Sequence, residues 1–234
     1  MNKNIKEYIL ETNFLSKKEC NEIVNILLKR QDKWESRSPF GDFFMSYGAL
    51  TYLDTENYDE KVKYFNNILL KDFKWVYKKI KLYYENKFNK PIEYKKGLPS
   101  FHIFQNSNKI NMYKDFANIH SDLTHLKHDW GEDILSVFSF TIALELPKCG
   151  AGLNVWPDFP KHIKTTFLPG MKDEDQKLIK ETAIYIPYKL GYIYEHTGLL
   201  MHQIAVKDGV KEKEKRITMQ GHLVETNSKI IIYV

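Results

Sequence analysis

The first apolar pattern along the chain is helical. Ser16 stands as an N-cap with Glu19 three residues on, and Cys20, Ile23, Val24, Leu27 and Leu28 follow at helical spacing. After a loop containing Ser38, Pro39 and Gly41, a longer helical period runs from about Asp59 to Phe88. It sets Val62, Phe65, Ile68, Leu69, Phe73, Val76, Tyr77, Ile80 and Tyr84 on one side. From Leu98 the pattern changes to short runs rich in Ile, Val, Phe, Thr and Tyr between polar turns, which predicts antiparallel β-structure. Strands are expected near 100–105, 109–113, 135–146, 153–156, 183–187, 191–194, 202–206 and 216–224. Between Pro157 and Glu181, two prolines, Gly170 and the acidic run Asp173-Glu174-Asp175 predict an excursion with one short helix, either a lid or a plain surface insertion.

The class expected is therefore mainly β with N-terminal α-helices. One domain is expected over 1–234, with mainly helical support in 1–95 and the β core in 96–234. A composition 43% hydrophobic and 14% aromatic is that of a folded chain with rings enough to build a ligand cavity. The net charge of +5 is scattered, and the run from Lys211 to Arg216 alternates in sign, so a nucleic-acid partner is not indicated. Two cysteines, Cys20 and Cys149, lie far apart and outside any Cys-x-x-Cys pattern, which argues against a disulfide framework or a thiolate zinc site and fits a reducing cytoplasm. The N-terminus lacks the apolar core of a signal peptide, and no stretch supplies the ~20 apolar residues of a membrane helix.

Candidate chemistry begins at His120-Ser121-Asp122. In an extended backbone alternate side chains share a face, so His120 and Asp122 can grip one ion together. A third ligand is available at His202, an imidazole within the apolar run Leu199-Leu200-Met201-His202-Gln203-Ile204. Two histidines and a carboxylate make a facial triad, which leaves adjacent positions open on an octahedral iron. Hydrolytic zinc sites more often show a helical His-Glu-x-x-His, which is absent from this sequence. Arg216-Ile217-Thr218 then places a planar guanidinium and a hydroxyl on one strand face, and the guanidinium fork suits a carboxylate.

This order of residues resembles the 2-oxoglutarate and iron(II)-dependent oxygenase superfamily, whose signature is His-x-Asp, a distal His, and an Arg followed two residues later by Ser or Thr. The runs Cys149-Gly150-Ala151-Gly152-Leu153-Asn154, Lys189-Leu190-Gly191-Tyr192-Ile193-Tyr194 and Arg216-Ile217-Thr218-Met219-Gln220-Gly221-His222 are similar to the family's, and the opening Asn13-Phe14-Leu15-Ser16 resembles its prolyl-hydroxylase-like branch. The resemblance implies a distorted double-stranded β-helix, a cupin-like jelly roll, braced by the N-terminal helices. It implies iron(II) on His120, Asp122 and His202, 2-oxoglutarate and O2 as co-substrates, Arg216 on the distal carboxylate, a further hydrogen bond from Thr218, and Tyr113 in the region of a co-substrate-binding tyrosine. The activity implied is hydroxylation of a C–H bond with release of succinate and CO2, with desaturation, cyclisation and demethylation as other outcomes. Halogenating relatives have a small residue where this chain has Asp122, so halogenation is not expected. The branch commonly has Lys where this chain has Arg216, and its Gly-containing turn before His-x-Asp is absent, so a peptidyl-prolyl substrate is not expected either.

Other residues carry more than one reading. His125, His128, Asp129 and Trp130 crowd behind the first motif; His125 and Trp130 are either substrate contacts at a pocket mouth or ordinary loop residues. His196 and His222 flank the motif strands and are read as structural, Trp156 and the tyrosines as core. The long helix serves packing or a homodimer. A small-molecule substrate, such as an amino acid or a biosynthetic intermediate, is the leading expectation. A protein or nucleic-acid substrate and a non-catalytic jelly-roll binding module stand as alternatives, and succinate formation separates the last from an enzyme.

Overall fold

In the computed structural model, which describes residues 7–37, 43–105, 118–163, 171–206 and 211–234, Ser16 forms the capping box that the sequence predicts. Its Oγ accepts from the Glu19 amide, and its own amide donates to Glu19 Oε2 at 2.7 Å. Helix α1 (Lys17–Lys29) buries Cys20, Ile23 and Leu27, and α2 (Tyr58–Phe88) buries the stripe from Phe65 to Tyr84. α2 leaves helical geometry at Phe73 (φ −130°, ψ 23°), whose ring packs against Phe101 at 4.7 Å. The stripe meets the sheet's Phe101, Ile103, Phe140, Ile142, Ile217 and Met219 in one apolar cluster, so packing accounts for it.

The larger sheet has nine strands. Its main path runs β1 (Ile9–Asn13), β9 (Tyr192–Thr197), β6 (Ser136–Glu145), β11 (Lys215–Glu225), β5 (Ser100–Gln105), β3 (Phe44–Tyr47) and β2 (Glu35–Ser36), all antiparallel. β12 (Ile230–Tyr233) pairs with β11, and β4 (Ile92–Tyr94) pairs in parallel with β12. The smaller sheet is antiparallel, in the order β10 (Met201–Val206), β7 (Ala151–Trp156) and β8 (Ile184–Pro187). Ala143 and Tyr194 of the larger sheet pack with Leu153, Val155 and Ile186 of the smaller one, so the described residues are mostly β, with two facing sheets and three α-helices among them. No described helix is long and apolar enough to cross a membrane.

Period-two alternation makes the larger sheet two-faced. Ile217, Met219 and Leu223 of β11 join the helix-side core, whereas Arg216, Thr218, Gln220 and His222 alternate with them and take the opposite, inner face. The β6 register shifts between Ile217 and Thr218, pairing them with Glu145 and Ala143. A bulge of this kind re-aims side chains, and it lies beside Arg216. The expected strand at 109–113 lies outside the described residues. Strands β1, β2, β3, β4 and β12 add to those expected, so the N-terminal region supplies sheet as well as helices. In the 157–181 excursion, helix α3 (Asp173–Thr182) buries Ile179 against Trp156, Ile163 and Ile119, and the Trp156 indole donates to the Ile179 carbonyl at 2.9 Å.

The segment between β3 and α2 is fixed by a buried charge network. Arg37, 5% exposed, donates to both oxygens of Asp54, 6% exposed, at 2.6 and 3.1 Å, and also to Ser46 Oγ and the Gly48 carbonyl. Lys61 bridges Asp54 and Glu35 at 2.7 Å each. Gly48 has φ +128°, and a Cβ there would meet Ser100 Oγ at 2.1 Å, so only glycine fits. Burial alone would raise the Asp54 carboxyl, but Arg37, Lys61 and the Leu50 amide hold it below its ordinary value of 3.8. A carboxylate depressed in the folded state stabilises above its unfolded pKa, and that contribution is lost as pH falls through the folded one. Asp54→Ala is therefore expected to cost about 3 kcal/mol near pH 7, the low end for a broken buried ion pair, since the Arg37 guanidinium loses two bonds and keeps Glu35 at 3.0 Å. Denaturant titrations of both proteins should show the gap narrowing below about pH 4. A gap under about 1 kcal/mol at pH 7, the range of surface pairs, would remove the network from the fold's essentials.

Candidate metal centre and its cavity

His120 is placed by backbone pairing to the edge of the smaller sheet. Its amide donates to the His202 carbonyl at 2.9 Å and the His202 amide returns the bond at 2.8 Å, while the Asp122 amide donates to Gly198 O at 2.7 Å. With both residues tied to the β10 side and one residue between them, His120 and Asp122 project together toward His202. One donor atom from each of the three lies within 4.8 Å of the others.

The ring orientations follow from further hydrogen bonds. His120 Nδ1 lies 2.9 Å from Asn118 O and His202 Nδ1 lies 2.8 Å from Leu200 O. A carbonyl only accepts, so Nδ1 carries a proton in both rings and each Nε2 is the nitrogen turned toward the carboxylate. Those Nε2 atoms stand 3.8 and 3.7 Å from the Asp122 carboxylate oxygens. The separations are too long for hydrogen bonds and suit donors facing a common ion. Burial alone would raise the Asp122 carboxyl, but the positive charge that His202, His222, His120 and His196 would carry when protonated at low pH outweighs it and holds the group well below the usual carboxylate range. Burial pushes His202 down to about 3, with Asp122 offsetting part of the effect. At neutral pH Asp122 thus offers a carboxylate and His202 a neutral imidazole, and with His120 beside them the donor set fits a divalent first-row metal.

Two more histidines complete the surroundings. His222 Nδ1 stands 3.9 Å from Asp122 Oδ2 and 2.9 Å from Ser139 Oγ, and the His196 ring lies 4.7 Å from that of His202. Both line the cavity. The sequence reading made them structural, although the alternation Arg216, Thr218, Gln220, His222 could have placed His222 on the inner face.

The triad opens into a cavity of about 430 Å³. Its sheet side carries His102, Ser139, Thr141 and Gln220, and its apolar side carries Phe44, Tyr52, Leu53, Phe104, Leu123 and Ile204. Arg216 is fully buried between the rings of Phe104 and Tyr188, its Cζ 5.3 and 5.4 Å from their centroids. Thr218 is equally buried and accepts from Gln220 Nε2 at 3.3 Å. These two residues sit one layer behind the cavity surface formed by Phe104 and Gln220. Tyr113 lies outside the described residues. His125 and Trp130 do not reach the cavity lining. The Trp130 indole donates to the His125 carbonyl at 2.9 Å, and its ring packs against Tyr233, Val224 and Ile231.

No protein-family model matches the chain, and no curated protein matches it in sequence. Two crystal structures of an N-substituted L-amino acid dioxygenase from Burkholderia ambifaria AMMD, one in complex with alpha-KG, are similar to it in three dimensions. Each alignment covers 97% of this chain and 86% of the other, with a TM-score of 0.56 and 11% sequence identity. This chain has their fold.

The placement of Trp130 is testable. Trp130→Ala removes a ring that is 4% exposed and should cost about 3–5 kcal/mol in a denaturant melt. Trp130→Phe, which keeps most of the packing, should leave the affinity for divalent metal within about twofold, an order-of-magnitude margin for a residue away from the site. A larger loss of metal affinity in the Phe variant would put the ring in the site.

Proposed function

We propose that the chain is a non-haem iron(II)- and 2-oxoglutarate-dependent dioxygenase that hydroxylates a C–H bond of a small molecule. The observation that carries this reading is the triad of His120, Asp122 and His202, with the Asp122 carboxylate ionised and the His202 imidazole neutral, at the wall of a cavity. The similarity in fold to a dioxygenase crystallised with alpha-KG supports it. We read the two sheets as the distorted double-stranded β-helix that the sequence motifs imply, with β5, β11, β6 and β9 as the larger face and β10, β7 and β8 in the smaller.

His120, Asp122 and His202 would hold the iron from one side. When bound, iron(II) together with 2-oxoglutarate would reduce dioxygen, release succinate and carbon dioxide, and supply the oxidant for hydrogen abstraction. Arg216, held between the rings of Phe104 and Tyr188, would attract the distal carboxylate of 2-oxoglutarate. Thr218 would add a hydrogen bond, and Tyr113 another contact to the co-substrate. His222, anchored by Ser139, stands beside the same Asp122 oxygen that His202 faces and helps to confine the carboxylate. Phe44, Tyr52, Leu53 and Ile204 would offer an apolar wall to the primary substrate. A cavity of about 430 Å³ is of small-molecule size. Amino acids and biosynthetic intermediates are the class to screen, beginning with N-substituted amino acids because the structural neighbour is a dioxygenase of those.

The test is an anaerobic titration of the apoprotein with iron(II) and then 2-oxoglutarate, followed by visible absorbance. Wild type should develop the weak charge-transfer band of the chelate, and Asp122→Ala and His202→Ala should lose it together with iron binding. Arg216→Ala should still bind iron and need at least about tenfold more 2-oxoglutarate, the cost of one charge-assisted contact. Folded wild-type protein that binds no iron would end the proposal.

A further inference from the structure

His102 lies on β5, directly across from Thr218 on β11 and from Ser46 on β3. Its side chain is 4% exposed and lines the cavity, yet its Nε2 is buried without a hydrogen-bond partner among the described residues. Buried polar atoms in folded proteins are nearly always bonded, and an exception in a cavity wall marks a place where a ligand supplies the partner. The ring is held edge-on by Phe44 at 5.5 Å and Tyr52 at 6.3 Å, so its position does not depend on that missing bond. No hydrogen bond fixes which ring edge faces inward, and a half-turn of the imidazole exchanges nitrogen for carbon at the cavity surface.

The chemistry of the partner follows from the neighbours. Burial lowers the His102 pKa to about 3, and among nearby charges Arg216 acts on it most strongly, followed by Arg37. Arg37 is already matched by Asp54. Near neutrality the ring is thus an uncharged N–H donor beside a guanidinium, and it adds a hydrogen bond without adding repulsion. A carboxylate offers about four acceptor positions. The guanidinium fork can fill two and the Thr218 hydroxyl a third. Arg216 and Thr218 lie behind the cavity surface, whereas His102 is part of it.

We propose that His102 is a binding residue for the distal carboxylate of 2-oxoglutarate, donating the hydrogen bond that completes the cradle of Arg216 and Thr218. The assignment rests on the oxygenase reading above and adds to it a contact on β5 that no sequence motif marks.

The experiment uses the full chain loaded with zinc(II), a diamagnetic probe of the iron site, and titrates 2-oxoglutarate by calorimetry and by nitrogen-15 NMR of the histidine rings. The His102 ring signals, identified by their loss in His102→Leu, should move on binding. His102→Leu should bind zinc(II) as wild type does and bind 2-oxoglutarate roughly tenfold more weakly, the loss of one hydrogen bond to a charged group. His102→Gln, which keeps a donor, should recover most of that loss. Unmoved His102 signals, or wild-type 2-oxoglutarate affinity in folded His102→Leu, would overturn the assignment. Arg216→Ala, run in parallel, separates the two levels of failure. If wild type binds no 2-oxoglutarate, the oxygenase reading fails and this inference with it; if Arg216→Ala weakens binding and His102→Leu does not, only the role of His102 fails. Should the Leu variant not fold, the ring signals are identified by their loss in His102→Gln, and their movement in the wild-type protein decides.

Discussion

His120 and His202 belong to distant parts of the chain, and the reciprocal backbone bonds between them, 2.9 and 2.8 Å long, set them side by side. The other features of the candidate site take their places from that pairing. It extends the smaller sheet by one bridge, carries Asp122 over the cavity through the next bond to Gly198, and leaves both imidazole Nε2 atoms facing the carboxylate. Gly198 is itself tight, since a Cβ there would lie 3.2 Å from Asp122 O and 3.3 Å from Val137. The backbone around the ligands is therefore set by main-chain geometry, and the side chains need only their local Nδ1 bonds to take up productive orientations.

The second dependence is on the two faces of the larger sheet. Alternation along β5, β6, β9 and β11 sends Phe101, Ile103, Phe140, Ile142, Ile193 and Met219 to the helices, where burial stabilises the fold. The same alternation turns His102, Thr141, Ser139, His196, Thr218 and His222 inward, where burial of polar groups costs stability unless each finds a partner. A sheet built for stability alone would be apolar on both sides. The inner face here departs from that pattern, and its departures cluster around the cavity and the triad.

Such a division explains what could be read in advance. The capping box at Ser16, the stripe of α2 and the strands from β5 to β11 are local patterns, visible because period and capping are properties of neighbouring residues. His120-x-Asp122 was legible for the same reason; Arg216-x-Thr218 stood out by its distance from His202, and the structure sets both of its residues outside the cavity lining. Strands β1, β3 and β4 were not seen because short segments such as Ile9-Leu10-Glu11-Thr12-Asn13 acquire strand character only from the partners they pair with. β12 is a different omission: Ile230-Ile231-Ile232-Tyr233 is an unbroken apolar run, buried throughout, that local pattern alone could have flagged. His102 had no signal of either kind. Its significance lies in facing Thr218 across a strand pair, a relation between residues far apart in sequence.

The electrostatics of Asp122 follow from the same pairing of strands. Its carboxylate is largely buried, ionised, and approached by His120, His202 and His222 at 3.7 to 3.9 Å, beyond hydrogen-bond reach. Burial keeps His202 and His222 from carrying the compensating charge, because both are pushed below the ordinary imidazole range. An anion in such a setting is stabilised by a cation that can accept lone pairs from several sides, and the two Nε2 atoms are aligned to share in that coordination. Compensation by a lysine or arginine would have satisfied the charge and closed the site. Neutral imidazoles leave the carboxylate's charge to be met by a metal, so the arrangement that is weakest as a salt-bridge cluster is the one best suited to holding an ion.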